Sequence, residues 1–397
     1  MIDNHSKIGN TCENRRFVFL VALACFLSNI SQLPIFVSTG ITQKLNMPIW
    51  IILLLYIFLK KRIKILYSTF KILFALICIF ELLLIASIFT KNSYFNSSVL
   101  QGLILSIFIY CLGTFVGDKF TDKDLKFISL SYVISATLVA LSIYIEYFSA
   151  GFDITSRQYV YASKNSISQI IFTAVVILMF IRFENHKVLN LMKVIVIIFE
   201  IMLLMLLKSR ATIIGFGICL LYIILGKRFN RKMKYFLTMV IIVGVIALLV
   251  NDNLSDMFIG NIMFAGRNAS NLDSLTSGRV SIITEFPALI RNHWLTGIGS
   301  LYFECFPLSC ILQFGIITGT LILGVSYLPI LKCLQFNRRN IYCSIFILIC
   351  VGYAINSLFE GLAPIGPGVK CYYMWFMYGI LVARNINGYQ RKGNSNE

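Results

Sequence analysis

Charge is what this sequence has least of: Asp, Glu, Lys and Arg make up 13% of its 397 residues, and only 17 residues are acidic. Soluble domains carry about 25% charged residues, so a water-facing globule is excluded. Histidine is scarce as well, with His5, His186 and His293 the three copies, and no His-Glu-x-x-His pair is present. A Gly-rich phosphate loop and a Gly-x-Ser-x-Gly elbow are also missing, so neither nucleotide-driven nor metalloprotease chemistry is expected. The 11 cysteines contain no Cys-x-x-Cys pairing and mostly lie inside apolar runs. That argues against zinc sites and disulfide scaffolds and leaves them as small core hydrophobes. No external cluster of carboxylates has ligand spacing, so no metal and no cofactor is expected.

What is abundant is apolar length. With 58% hydrophobic residues and a mean hydropathy of +0.82, the chain reads as an all-α, polytopic transmembrane bundle. Twelve spans are expected at about 17–37, 46–59, 70–89, 98–117, 127–148, 165–181, 188–207, 211–225, 235–250, 307–331, 341–359 and 371–383. The formal charge of +18 falls largely in the short loops of one side, including Lys60-Lys61-Arg62, Lys227-Arg228, Arg231-Lys232 and Arg338-Arg339. The positive-inside rule then places both termini in the cytoplasm and the long loop outside, and explains the charge without nucleic acid. The apolar run after Arg15-Arg16 has no cleavage site before Pro34 and reads as a retained helix, not a signal peptide. Residues 1–397 form one membrane domain, with a large external loop at 251–306 and a disordered cytoplasmic tail at 384–397.

The loop is the one long segment too polar for lipid. Within it, Ser277-Gly278-Arg279 opens a stretch where Val280, Ile283, Phe286, Leu289 and Ile290 recur at helical spacing around Pro287. This predicts a kinked amphipathic helix at the membrane surface, its polar face carrying Arg279 and Arg291. Gly297-Ile298-Gly299 then forms a flexible turn that lets backbone approach a ligand.

Several cations stand on the external side against the positive-inside bias: Arg157, Lys164, Arg210, Arg267, Arg279, Arg291 and Lys370. Guanidinium forks match phosphate oxygens bidentately, so such a group suits an anionic head group. The plainer reading of each is an interfacial anchor. Arg210 is the best placed, in the tight Lys208-Ser209-Arg210 hairpin. Arg157, Gln158, Tyr159, Tyr161, Lys164 and Asn165 form a polar, aromatic stretch that suits sugar recognition or an interfacial aromatic belt. External acids are Glu304, Glu360, Asp273 and Glu285, each either a base for a hydroxyl acceptor or an ion-pair partner. His293 is an external candidate base or substrate contact, or a solvated loop residue. Lys193 and Glu200 lie seven apart on one face of a span, as structural groups or part of an ion pathway.

Lys208-Ser209-Arg210-Ala211, Ser277-Gly278-Arg279, Gly297-Ile298-Gly299 and Asn356-Ser357-Leu358-Phe359-Glu360, in this order relative to the spans, resemble the O-antigen polymerase and O-antigen ligase superfamily of bacterial membrane glycosyltransferases. The resemblance covers most of the chain. It implies inverting transfer of an oligosaccharide from a polyprenyl-diphosphate-linked donor to an acceptor at the periplasmic face, with no nucleotide sugar. It implies as partners membrane lipid, a flippase and a chain-length regulator. Ligases of the superfamily carry a histidine followed by Asn, Ser or Gln, then nine residues and Gly-x-x with Gly, Thr or Tyr. Here the frame ending Gly315-Ile316-Ile317-Thr318 has Glu304-Cys305 at that pair, which favours Wzy-type polymerisation over ligation, with a lipid-linked oligosaccharide flippase or transporter as the non-enzymatic alternative. On this resemblance Arg210 and Arg279 are expected to hold the diphosphate, with Arg157, Lys164, Arg291 and His293 binding substrate and Glu304 or Glu360 activating the acceptor. Gly315 and Gly319 read as a helix-packing pair.

Overall fold

A computed structural model of the chain describes residues 2–60, 66–90, 94–117, 119–149, 151, 164–226, 231–263, 279–299, 303–336, 340–362, 365 and 369–393. Every regular element among them is helical, because backbone in hydrocarbon must satisfy its own hydrogen bonds. The helices are α1 (Ile2–Ile30), α2 (Pro34–Ser38), α3 (Ile41–Lys60), α4 (Tyr67–Thr90), α5 (Ser98–Val116), α6 (Asp122–Ser149), α7 (Lys164–Phe180), α8 (Lys187–Leu206), α9 (Arg210–Leu225), α10 (Arg231–Val250) and α11 (Asp252–Ser255). A π-helical stretch, Asp256–Met263, follows; then come α12 (Arg279–Arg291), α13 (Phe306–Cys333), α14 (Ile341–Ser357) and, after a 3-10 turn at Val369–Cys371, α15 (Tyr372–Gly393).

Each expected span meets a helix, and the chain is an all-α polytopic membrane protein. Five helices, α4, α5, α6, α8 and α13, are long and apolar enough to cross a bilayer. A sixth is counted if α10 and the helix beyond it, bent by 111°, make one span. The first expected span divides, since α1 stops at Ile30 and Pro34, with no N–H to donate, opens α2. At the other end α15 continues as helix through Gly393, past the point where a disordered tail was expected. The basic residues at 61–62, 227–228 and 338–339 lie outside the described residues.

The closest helix pair is α5 with α15, and glycine makes it possible. A Cβ on Gly113 would stand 2.4 Å from the Phe376 carbonyl, one on Gly117 2.8 Å from Ile380 Cα, and one on Gly379 2.3 Å from the Tyr110 carbonyl. The two helices advance in step through these contacts, so they run parallel. Without a hydrophobic drive between helices in lipid, such close approach is where van der Waals packing is gained. Arg384 closes this pair at one end, its guanidinium donating to Asp122 Oδ1 at 2.7 Å and to the carbonyls of Gly117 (3.2 Å) and Phe120 (2.5 Å). On the other flank α1 packs on α6, with Asn29 Nδ2 donating to Tyr132 O (3.2 Å) and Ser135 Oγ (3.0 Å).

Lys193 and Glu200 do not pair with each other. Lys193 Nζ donates to the Ile181 carbonyl beyond the end of α7 at 3.0 Å, and Glu200 accepts from Thr137 Oγ1 of α6 at 2.8 Å. Both tie α8 to its neighbours, in line with the structural reading. Apolar side chains of α4, α8 and α10, such as Phe74, Ile198 and Met239, face outward, as a lipid-facing surface requires.

Gly113→Leu and Gly379→Leu should each force α5 and α15 apart and destabilise the protein by about 1–3 kcal/mol or more. Gly217→Leu and Gly324→Leu, with nothing within 4 Å of the added Cβ, should leave the thermal midpoint of detergent-solubilised protein unchanged.

Candidate active site

Three apolar helices that pack together are shorter than a bilayer: α7 and α14 have 17 residues each and α9 has 16. At 1.5 Å per residue they span about 24–26 Å, against a hydrocarbon core of about 30 Å. One turn inside their polar ends they meet at glycine. A Cβ on Gly215 of α9 would already touch Gly352 of α14 at 3.4 Å, and one on Gly352 would strike the Phe172 ring of α7 at 2.3 Å.

Above that contact the helix ends carry a continuous hydrogen-bonded chain. Asn165, the second residue of α7, donates from Nδ2 to Glu360 Oε2 at 2.7 Å. Its Oδ1 accepts from Ser209 Oγ at 3.4 Å. Ser209 Oγ lies 3.0 Å from Thr212 Oγ1, which stands 3.4–3.5 Å from the Asn356 amide of α14. Glu360 is carried by the turn that follows α14, where the Leu358 and Phe359 amides donate to the Ile355 and Asn356 carbonyls.

The Lys208-Ser209-Arg210 hairpin is as tight as its sequence predicts. Lys208 adopts a left-handed φ of 51°, uncommon for a residue with a Cβ, and is 6% exposed. It is the residue that reverses the chain after α8, a place usually given to glycine. Arg210 follows as the first residue of α9 and is partly buried. Lys164, Arg210 and Glu360, three of the expected site residues, therefore gather at one end of the bundle, with cations and a carboxylate around a hydroxyl-rich floor. Such a constellation can hold a phosphate and accept a proton beside it.

α13 forms the neighbouring wall and corrects the expectation for Gly315 and Gly319. Gly315 has φ 76° and ψ 172°, which breaks α13. A Cβ on Gly319 would approach the Cys310 carbonyl at 2.7 Å, whereas nine residues of straight helix rise about 13.5 Å. The two halves, 306–314 and 316–333, therefore fold back on each other, and only Gly319 serves packing. The open backbone at the break is satisfied by the segment after α12: Ile298 N donates to Leu312 O at 2.7 Å, Gly299 N to Gln313 O at 3.0 Å, and Ile316 N to Trp294 O at 2.7 Å. Gly297 and Gly299 hold φ of 73° and 93°, so the expected glycine turn exists, and it clamps a broken helix.

Tyr327 links this wall to the cluster. Its hydroxyl is 2.6 Å from Ser357 Oγ, and its ring lies 6.1 Å from that of Phe306. Glu304 lies two residues before Phe306 and Glu360 three after Ser357 in the chain. α12 confirms the expected helix with Pro287 inside it. Arg279 and Arg291 are its first and last residues, about 18 Å apart along the axis. Arg291 sits in the last turn, where the helix dipole favours a cation, and is exposed, as is His293 just beyond. Among the described residues neither joins the Glu360 cluster. Arg157, Gln158, Tyr159, Tyr161, Arg267, Asp273, Ser277 and Gly278 lie outside the described residues.

Ser209, Thr212 and Gly352 were not singled out as site residues from sequence, and Asn165 only as part of a sugar-recognising stretch. The available signal was that polar residues end the shortest apolar runs. Gly352→Leu should drive the ring of Phe172 away, separate α7 from α14 and abolish activity together with thermal stability. Gly315→Ala, whose Cβ would stand 2.0 Å from the Leu295 carbonyl at a positive φ, should unseat the 294–299 clamp. Protease cleavage between α12 and α13 would report that release.

No curated protein matches the chain. Residues 194–313 match the family model described as O-antigen ligase. That stretch starts within α8 and ends two residues before the break at Gly315. It takes in Arg210, Arg279, Arg291, His293 and Glu304, while Lys164, Asn165 and Glu360 come from outside it. Through this segment, under a third of the chain, the protein is similar to the O-antigen ligase family.

Proposed function

We propose that the protein is a membrane glycosyltransferase that moves an oligosaccharide from a polyprenyl-diphosphate carrier to a hydroxyl acceptor at the external face of a bacterial inner membrane. The observation that carries this reading is that Arg210, inside the family-matched segment, follows Ser209, which is linked through Asn165 to a carboxylate, Glu360, that the fold brings in from outside that segment. Arg210 and Arg279 bind the diphosphate, with Lys164 at the same helix ends as Arg210, and Arg157, Arg291 and His293 are further candidate substrate contacts. Arg279 at the first position of α12 supports this, since a cation is disfavoured at a helix N-terminus unless an anion accompanies it. Glu360 or Glu304 accepts the proton of the acceptor hydroxyl. The acceptor oxygen then bonds to the anomeric carbon as the bond from that carbon to the diphosphate oxygen breaks. The electron pair leaves on polyprenyl diphosphate, where the arginines stabilise the charge.

The family match favours ligation, transfer of the finished glycan to a separate acceptor, over polymerisation. Polymerisation of repeat units is the second reading, and the Glu304-Cys305 pair, standing where the ligase histidine is expected, favours it. Either reaction is compatible with twelve spans and both termini in the cytoplasm, with the short helices tilted or extended by their loops. A flippase and, for polymerisation, a chain-length regulator complete the set of partners.

The surface-glycan ladder of a strain lacking the gene separates the readings. One repeat unit on the core, restored to a ladder by the wild-type gene, establishes polymerisation. Loss of even that unit with accumulation of lipid-linked glycan establishes ligation. Arg210→Ala and Arg279→Ala should each lower product by about 10²-fold or more at unchanged protein level. A normal ladder from both variants would remove the arginines from the mechanism.

A further inference from the structure

We infer that Asn165 is a positioning residue that sets the Glu360 carboxylate relative to Arg210. The inference rests on the transferase reading and deepens it. The Asn165 amide is the one group among the described residues that touches both sides of the cluster: Nδ2 donates to Glu360 Oε2 at 2.7 Å, and Oδ1 accepts from Ser209 Oγ at 3.4 Å. Ser209 is bonded directly to Arg210 in the chain. One planar side chain therefore connects the carboxylate with the backbone turn that bears the cation. A side chain carrying a donor and an acceptor on one rigid plane is what such a bridge requires, and asparagine is the shortest that offers both.

A second observation points the same way. Ser209 occupies the N-cap position of α9, where a serine hydroxyl ordinarily accepts from an amide of its own helix. Here it makes no such bond. The hydroxyl is turned instead toward Asn165 Oδ1 and Thr212 Oγ1. A local rule is given up at the point where the fold needs a fixed cross-helix contact, and such departures concentrate at functional sites. Glu360 Oε2 is engaged by Asn165, and among the described residues Oε1 accepts no hydrogen bond, which leaves that oxygen to receive a proton. The backbone around the bridge is rigid: Lys208 is held at φ 51°, and Gly352 pins α7 to α14 one turn below.

The test uses the purified full chain in proteoliposomes, with a synthetic polyprenyl-diphosphate oligosaccharide as donor. A second copy of that lipid and a lipid-linked core glycan serve in turn as acceptor. Asn165→Asp preserves size and shape while removing the N–H donor, Asn165→Ala removes the bridge, and Glu360→Gln removes the base. Both Asn165 variants should lose at least ~10-fold in kcat with KM for the donor held within ~2-fold. The double variant Asn165→Ala/Glu360→Gln should be no slower than Glu360→Gln alone. Thermal midpoints within a few degrees of wild type would accompany these losses. Wild-type kcat in Asn165→Asp, or losses in kcat that track a fall in thermal midpoint, would reduce Asn165 to a helix pin and overturn the inference while leaving the transferase reading intact. Full activity of Glu360→Gln would remove the base from the reading and the positioning role with it.

Discussion

Hydrocarbon gives no hydrogen bonds to a peptide group, and the shape of this protein follows from that. Non-helical backbone at membrane depth is tolerated only where protein supplies the missing partners. The break at Gly315 therefore cannot exist without the Trp294–Gly299 segment, whose three backbone hydrogen bonds stand in for those that α13 forgoes. The dependence is mutual. That segment takes its course from Gly297 and Gly299 at positive φ, and a Cβ on Gly297 would collide with the Gln313 carbonyl at 2.4 Å. What looks in sequence like a flexible loop turn is a fixed joint, and it determines where α12, with Arg279 at its start, meets the bundle.

The same constraint explains why the polar cluster sits where it does. Helices cut short of the bilayer leave room above their ends, and α7, α9 and α14 all end around Asn165, Ser209 and Glu360. Polar side chains there satisfy one another across three helices, which a single full-length helix surface could not arrange. Burying such groups is costly when they are unmatched and rigidifying when they are matched. The cluster is matched along its length, so it orders the helix ends while one oxygen of Glu360 accepts no hydrogen bond among the described residues. The price in packing is borne by glycine: Gly352 has to accept the Phe172 ring on one side and Gly215 on the other.

Much of this was legible before any coordinates. Apolar length placed a run on each of the helices long enough to cross a membrane among the described residues, because in lipid the run of apolar residues is the helix. The hairpin at Lys208 and the helix from Arg279 were legible too, through a charge trapped between two apolar runs and through spacing around Pro287. Three things were not. The glycines of the α5 and α15 pair lie 262 or more positions apart in sequence, as Gly117 and Gly379 do, and nothing local distinguishes them from Gly217, which meets open space. Gly315 looked like a packing residue because its spacing to Gly319 is that of a packing pair; its positive φ is a tertiary fact. Asn165 was hidden because its partners, Ser209 and Glu360, are 44 and 195 residues away.

The family-matched segment, residues 194–313, bears on where specificity lies. It holds Arg210, Arg279 and Arg291 and stops before α14, so on the proposed reading the anion-binding half of the site lies in the part of the chain similar to the family model. Glu360, Asn165 and Lys164 reach the cluster from α7 and from the turn after α14, outside that segment. A diphosphate is common to every lipid-linked donor, whereas the acceptor hydroxyl differs between joining repeat units and capping a separate glycan. Chemistry shared by all members is then expected from α9 and α12, and discrimination between acceptors from α7 and the turn after α14. On this division, the missing ligase histidine is a change on the wall formed by α13, and its consequence would be felt in acceptor choice before donor binding.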